Sequence, residues 1–407
     1  MLGDSYKVSR TSGEDVVWID GFPYLPKLHI HEHNILSVAQ RVFGLLNERN
    51  VENLPSWTDN TIITRVEGGA TNSLYRIGTS VLVRIFGAEG MIDRDAETAV
   101  YARLAQQGLA PAYYGRLANG RIEKWLPRSR TLTTPEMPLF AKTIAKQLRR
   151  LHDSTPALVG DATPQPPLQP TLWKELRTWL EQAEAHYSDA TANGNLKDLV
   201  VRVRPELPWL QALAHNFPCR VGFCHNDILA ANILVEEQNN ESKEESVVQL
   251  IDFEYGGINY FAFDIANHWN EYAGEFVIAA TPITLTPPTP RLLGCPPTCT
   301  DPDYSLLPTV EVRKAFLESY ATGASGGRPI TPVQDSVVFE KEVDFFLLVN
   351  HLYWGLWAVN QSATEGNDGY NYARYATSRI GQYFIDKPKL EQQLVETCQK
   401  ATAAPGC

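Results

Sequence analysis

The stretch FCHNDILAANIL, residues 223–234, decides how this chain reads. His225, Asn226 and Asp227 stand in a row, and Asn232 follows the aspartate five positions later. Downstream, LIDFEYGG at 250–257 ends a β-branched run with Asp252. Between the two phrases, NILV, the charged run EEQNNESKEES and VVQLIDF read as a hairpin with a solvated tip. Such a hairpin returns Asp252 to the mouth of the loop beside Asn232. Taken singly, each side chain reads equally well as a cap or turn residue. Taken together they suit phosphoryl transfer, in which Asn and Asp oxygens hold Mg²⁺ on nucleotide phosphates and a separate carboxylate, here Asp227, accepts the proton of an attacking hydroxyl.

The residues upstream strengthen that reading. TIITRV, SLYRI and SVLVRIF, beginning at residues 61, 73 and 80, have the composition and alternation of antiparallel strands. A helix follows over 92–108, with Asp95 near its start, Val100, Leu104 and Ala105 on one face, and Gly108 as its stop. AYYGRLA and GRIEKWL supply two more strands around the turn at Asn119-Gly120. Five antiparallel strands and one helix make a small lobe, expected over 61–130, that must lean on something else to bury its sheet. Residues 1–60 are expected as a helical extension, and 131–407 as a large, mainly helical lobe. The fold class is therefore α+β and two-lobed, and Asp, Asn at plus five and a later Asp follow the order of the protein kinases, with HND for HRD and DFE for DFG. In GGATN at 68–72, Gly68, Gly69, Thr71 and Asn72 can bring backbone N–H groups to a phosphate; without GxGxxG the same residues also read as a plain hairpin turn. Arg84 stands on the third strand where a kinase has Lys, and Glu97 in the next helix is its expected ion-pair partner.

Composition sets the outer limits. The chain has 407 residues, 43% of them hydrophobic, which is ordinary for a globular enzyme of two lobes. The apolar run VDFFLLVNHLYWGLWAV at 343–359 is interrupted by Asp344, Asn350 and His351, so it reads as a buried helix and no integral membrane segment is expected. No secretory pattern opens the sequence, which makes the cytoplasm the expected location. Six cysteines without CxxC spacing point to free thiols. HIHEH at 29–33 lacks the HExxH spacing of a zinc helix. A net charge of −11 with no basic stripe argues against nucleic acid as partner. Residues 278–303, rich in Pro and Thr, read as a surface insertion.

FCHNDILAANIL followed by LIDFEYGGINYFAFDIANHWNEYAG resembles the choline/ethanolamine kinase family, whose hallmark is HNDxxxxN followed by D[FY]EY. The resemblance covers roughly residues 60–390. It implies a protein-kinase-like fold using ATP and Mg²⁺, with Asp227 as catalytic base beside His225, Asn232 and Asp252 as metal ligands, and Arg84 as the phosphate-binding cation. It also implies Asp264 as a brace for the catalytic loop and Lys124 to Leu126 as a hinge meeting adenine through backbone groups. Trp354 and Trp357, three apart on a helix, can offer indole faces to an ammonium group; alone they read equally well as core aromatics. The resemblance makes them walls of an amino-alcohol site with Glu271 and Tyr375, while Phe276 falls near a Tyr of choline-type members. NHWNEYAG and the DRD at 93–95 are closer to ethanolamine kinases, and Asn270 and Glu271 suit a primary ammonium, which donates hydrogen bonds that a trimethylammonium cannot. The expected substrate is ethanolamine, with choline or both amines as the alternative and a homodimer left open. An aminoglycoside-type phosphotransferase and a non-catalytic pseudokinase are the more remote readings.

Overall fold

The computed structural model describes residues 8–10, 16–56, 61–66, 72–87, 94–159, 168–188, 194–236, 247–274, 302–323, 333–367 and 370–403. Gly68, Gly69, Thr71, Phe276 and residues 278–301 of the Pro- and Thr-rich run lie outside the described residues.

Along the chain, β1 (Val8–Arg10), β2 (Val17–Ile19), β3 (Phe22–Leu25), α1 (Ile35–Glu48), β4 (Ile63–Val66), β5 (Asn72–Ile77), β6 (Val81–Phe86), α2 (Arg94–Gln106), β7 (Tyr113–Leu117), β8 (Gly120–Lys124) and β9 (Ser129–Thr131) come first. There follow α3 (Met137–Asp153), α4 (Thr155–Val159), α5 (Leu172–His186), α6 (Gly194–Val203), α7 (Glu206–Ala214), β10 (Val221–Cys224), β11 (Ile233–Glu236), β12 (Val248–Leu250) and β13 (Gly257–Tyr260). The chain continues through α8 (Phe261–Asn270), α9 (Val310–Thr322), α10 (Val333–Thr364) and α11 (Tyr372–Ala403). Two compact units result, one of residues 1–166, 230–257 and 322–328, the other of 167–229, 258–321 and 329–407.

In the first unit the expected antiparallel strands β4 to β8 are all present, in the spatial order β7-β8-β6-β5-β4. The sheet is larger than expected. Residues 1–60, read from sequence as helical packing, contribute α1 and also β1, β2 and β3, which extend the sheet to eight strands through a parallel pairing of β3 with β7. The signal passed over was Asp20-Gly21: Ile19 pairs with Phe22, so these two residues form the hairpin loop, with φ of 50° and 89°. Asp-Gly is among the strongest short hairpin signals, because both positions need φ > 0.

Strand alternation gives the two faces of this sheet different chemistry. Tyr75, Ile77, Val81, Val83 and Ile122 share one apolar core with Val38, Val42, Phe43 and Leu46 of α1. Arg84, Arg121 and Glu123 alternate with those core residues on the strands, and are themselves buried. Gly120 permits the closest approach of β8 to β6, since a Cβ there would sit 2.4 Å from the Arg84 carbonyl oxygen. A second sheet, β12-β11-β9, carries the expected hairpin, with Ile233 opposite Leu250.

The second unit is mainly helical. The helical run read over 196–217 divides into α6 and α7 around Arg204-Pro205, where a proline cannot donate to the preceding turn. The apolar run 343–359 lies within α10 and is largely buried. Among the described residues no helix is long and apolar enough to cross a membrane.

Glu342 of α10 is only 2% exposed, and burial raises its pKa to about 7, with the Cys219 thiol and Arg220 opposing the shift. A carboxyl raised in this way stabilises the fold below its unfolded pKa of about 4.3, and that contribution is lost as pH rises through 7. Glu342→Gln is therefore expected to raise stability at pH 8 by on the order of 2 kcal/mol relative to the parent, with little difference at pH 4.5. Denaturant unfolding at the two pH values measures this, and an equal effect at both would remove Glu342 ionisation as the cause.

Candidate active site

The loop after β10 is held from below by α8. The Asp264 carboxylate accepts the backbone N–H groups of His225 at 2.8 Å and Asn226 at 2.7 Å through its two oxygens. One turn further on, the Asn267 side-chain oxygen accepts the Ile228 N–H at 2.5 Å, and His268 Nδ1 lies 3.1 Å from the Ile228 carbonyl oxygen. The His225 ring takes the Asp227 N–H at 3.3 Å, and Asn259 donates to the Asn226 side chain at 2.8 Å. Asn226 adopts a left-handed φ of 68°, which Asn tolerates better than most residues. Asp227 is thus displayed on a backbone fixed on both sides. Of these braces the sequence suggested Asp264 alone; Asn267 and His268 are ordinary polar residues until α8 puts them, one turn after Asp264, on a buried face, and Asn259 reaches the loop from β13.

In the first unit, Asn232 and Asp252 flank the β11–β12 ladder, where the Ile251 N–H donates to the Asn232 carbonyl at 3.0 Å. Asp252 has a left-handed φ of 63°. Its Oδ1 lies 3.4 Å from Arg84 Nη1. The expected pairing of Arg84 with Glu97 is not formed. Arg84 Nε instead lies 3.6 Å from Glu123 Oε1, while Glu97 is taken by Arg121 at 2.5 Å and Arg94 at 3.0 Å. Arg121 also meets Glu123 at 3.1 Å, and Arg94 reaches Glu254 at 3.3 Å. Because Glu254 is two residues from Asp252, the contacts close a circuit of four carboxylates and three guanidiniums. Burial opposes ionisation of Glu123, yet Arg121 and Arg84 hold its carboxyl below the usual range. Glu254 shows the opposite balance: burial, Asp252 and Glu97 raise it to about 7 despite Arg94 and Arg84. Asn232 and Asp252, at the same end of the β11–β12 ladder, carry the amide and carboxylate oxygens that a hard divalent cation takes.

The side chains expected to form the amine site all belong to the second unit. Trp354 and Trp357 meet edge to face at 5.4 Å, and Trp357 meets Tyr372 at 5.6 Å. Tyr370 links Tyr372 to Tyr375, with centroids at 4.8 and 6.0 Å. Gly355 lets α11 approach α10 here, since a Cβ would fall 2.6 Å from Ile380. Glu271, at the end of α8, has a partner that the sequence reading did not name: Arg379 lies 3.5 Å away and over the Tyr375 ring at 5.7 Å. Burial raises the Glu271 pKa, and Arg379 works against that rise. The Asn270 amide nitrogen donates to the Leu347 carbonyl at 3.1 Å and to Asn350 Oδ1 at 2.9 Å. Asn350 Oδ1 also takes Arg379 Nη2.

Residues 63–384 match the family described as Choline/ethanolamine kinase. The chain belongs to the choline/ethanolamine kinase family. It is 28% identical to ethanolamine kinase 1 of Homo sapiens over 91% of this chain and 77% of that protein. It is 29% identical to the choline/ethanolamine kinase of Homo sapiens, over 80% of each chain. The crystal structure of choline kinase from Cryptosporidium parvum Iowa II superposes with a TM-score of 0.65 at 22% identity, covering 87% of this chain and 97% of that one, and shares the protein-kinase-like fold. The chain is thus an ATP-dependent small-molecule kinase, which sets aside both the pseudokinase and the aminoglycoside readings.

The segment expected as the hinge is partly committed to the fold. Lys124 N–H donates to the Ala112 carbonyl at 2.7 Å and Trp125 N–H to that of Ser80 at 2.8 Å. The Leu126 carbonyl accepts Ser129 N–H at 3.2 Å, and the Leu126 N–H has no partner among the described residues.

Proposed function

We propose that this kinase transfers the γ-phosphoryl group of ATP to the hydroxyl of ethanolamine, giving phosphoethanolamine for the first step of phosphatidylethanolamine synthesis. The observation that carries the choice of amine is Asn270. Its amide nitrogen is spent on Leu347 and Asn350, while its side-chain oxygen, on a residue 1% exposed, has no partner among the described residues. A buried acceptor left open costs about 1–3 kcal/mol. An N–H of a primary ammonium satisfies it; a trimethylammonium has no donor to give.

In this reading Trp354, Trp357 and Tyr375 present ring faces to the ammonium, and Glu271 supplies negative charge, its ionised form favoured by Arg379 against the effect of burial. Asp227 accepts the hydroxyl proton as the substrate oxygen bonds to the γ-phosphorus and the bond to ADP breaks. Asn232 and Asp252 hold Mg²⁺, which when bound neutralises charge on the phosphates. Arg84 faces the same phosphates, and the Leu126 backbone N–H meets adenine.

The test is a set of steady-state rates with ethanolamine, choline and no acceptor. A higher kcat/KM for ethanolamine is expected, and an equal or higher value for choline overturns the choice of amine. Trp357→Ala is expected to raise the amine KM roughly tenfold, in line with a cation–π contribution of about 1–2 kcal/mol, and to leave the ATP KM unchanged. A variant of lowered melting temperature with normal amine KM would return Trp357 to core packing.

A further inference from the structure

The substituted ion pairing in the first unit carries an inference about how the phosphate-binding cation is held. Arg84 and Arg121 lie directly opposite each other on β6 and β8, and both are buried. Like charges facing across a strand pair repel, the more so away from water. Glu123, two residues from Arg121 on the same strand face, lies between them, with Oε1 3.6 Å from Arg84 Nε and Oε2 3.1 Å from Arg121 Nε. Tyr101 of α2 donates to the same carboxylate and lies against the Arg121 guanidinium at 4.1 Å. Glu97, on α2, meets Arg121 through one oxygen and Arg94 through the other.

From this geometry we infer that Glu123 is a positioning residue for Arg84, holding its Nε side while Asp252 meets Nη1, so that the cation facing the nucleotide is oriented from within the sheet and not by Glu97 of α2. Glu97 then serves to dock α2 on Arg121. The consequence is a separation of roles. Loss of the Glu123 charge turns Arg84 away from Arg121 and weakens phosphate binding, whereas loss of the Glu97 charge loosens α2 and lowers stability first. The inference rests on Arg84 contacting the nucleotide, which the proposed function assigns.

The experiment measures KM for ATP and for the amine, together with thermal unfolding, in Glu123→Gln, Glu97→Gln and Arg84→Met, and in the double variant of Arg84 and Glu123. Glu123→Gln is expected to raise the ATP KM about tenfold or more with the amine KM unchanged, and to have no further effect on the ATP KM once Arg84 is Met. Glu97→Gln is expected to lower the melting temperature with a smaller change in the ATP KM. Glu123→Asp keeps the charge but withdraws the carboxylate by one methylene, and carries the same test where Glu123→Gln does not fold. If Arg84→Met leaves the ATP KM intact, the assignment of Arg84 in the proposed function fails. If Arg84→Met raises it and the Glu123 variants do not, or if Glu97→Gln raises it as much as they do, the positioning role of Glu123 is overturned and the proposed function stands.

Discussion

Asp227→Asn is expected to lower turnover by about 10²–10⁴-fold while leaving the fold and ATP binding in place. The replacement changes one atom and removes the only carboxylate in the HND loop. Without it the attacking hydroxyl keeps its proton and is a poor nucleophile at neutral pH. The loop itself does not depend on that carboxylate, because its backbone is fixed by Asp264, Asn267 and the His225 ring. A loss confined to kcat, with normal nucleotide binding by titration and an unchanged melting temperature, is the expected pattern. Near-parent turnover would take Asp227 out of the mechanism.

That loop also shows what the sequence can and cannot display. Spacing alone suggested that the hairpin brings Asn232 back to Asp252, because each of the two residues adjoins one strand of the pair at the same end, and Ile233 is indeed opposite Leu250. Residues that act through a face were harder to read. Arg121 and Glu123 sit in GRIEKWL, where a charged residue on either side of an isoleucine reads as the wet side of an edge strand. They are buried because α2 lays Glu97 and Tyr101 over that side. Arg379 was missed for a related reason: it is one turn beyond Tyr375, yet nothing in RYATSRIGQYF says that α10 will put Asn350 against it. The Arg84–Glu97 pairing was drawn from the order of parts in kinases, and order does not specify which of several carboxylates within reach takes the cation. The β2–β3 hairpin was legible in Asp20-Gly21, a turn signal passed over where residues 1–60 read as helical packing.

Asp252→Asn is expected to abolish detectable phosphorylation, a loss of at least about 10³-fold, and to do so without destabilising the metal-free protein. Asn is the informative replacement here, because φ at this residue is 63° and an alanine would add strain of order 1 kcal/mol unrelated to the chemistry. The charge balance of the circuit decides the direction of the stability change. Asp252 belongs to a set in which Glu97, Glu123, Glu254 and Asp252 face Arg84, Arg94 and Arg121, so the set carries one negative charge more than its arginines neutralise when all four carboxyls are ionised. Removing that charge relieves repulsion felt by Glu254, for which Asp252 is a cause of the raised pKa second to burial. A functional group held against the preference of its surroundings shows this signature: its loss lowers activity and raises or preserves stability. The measurements are turnover across a Mg²⁺ titration and thermal unfolding in chelator, for parent and variant side by side. An added-metal concentration that restores parent turnover would show that Asp252 is not a required ligand. A large fall in the melting temperature in chelator would show that its charge serves the fold through Arg84 rather than the reaction.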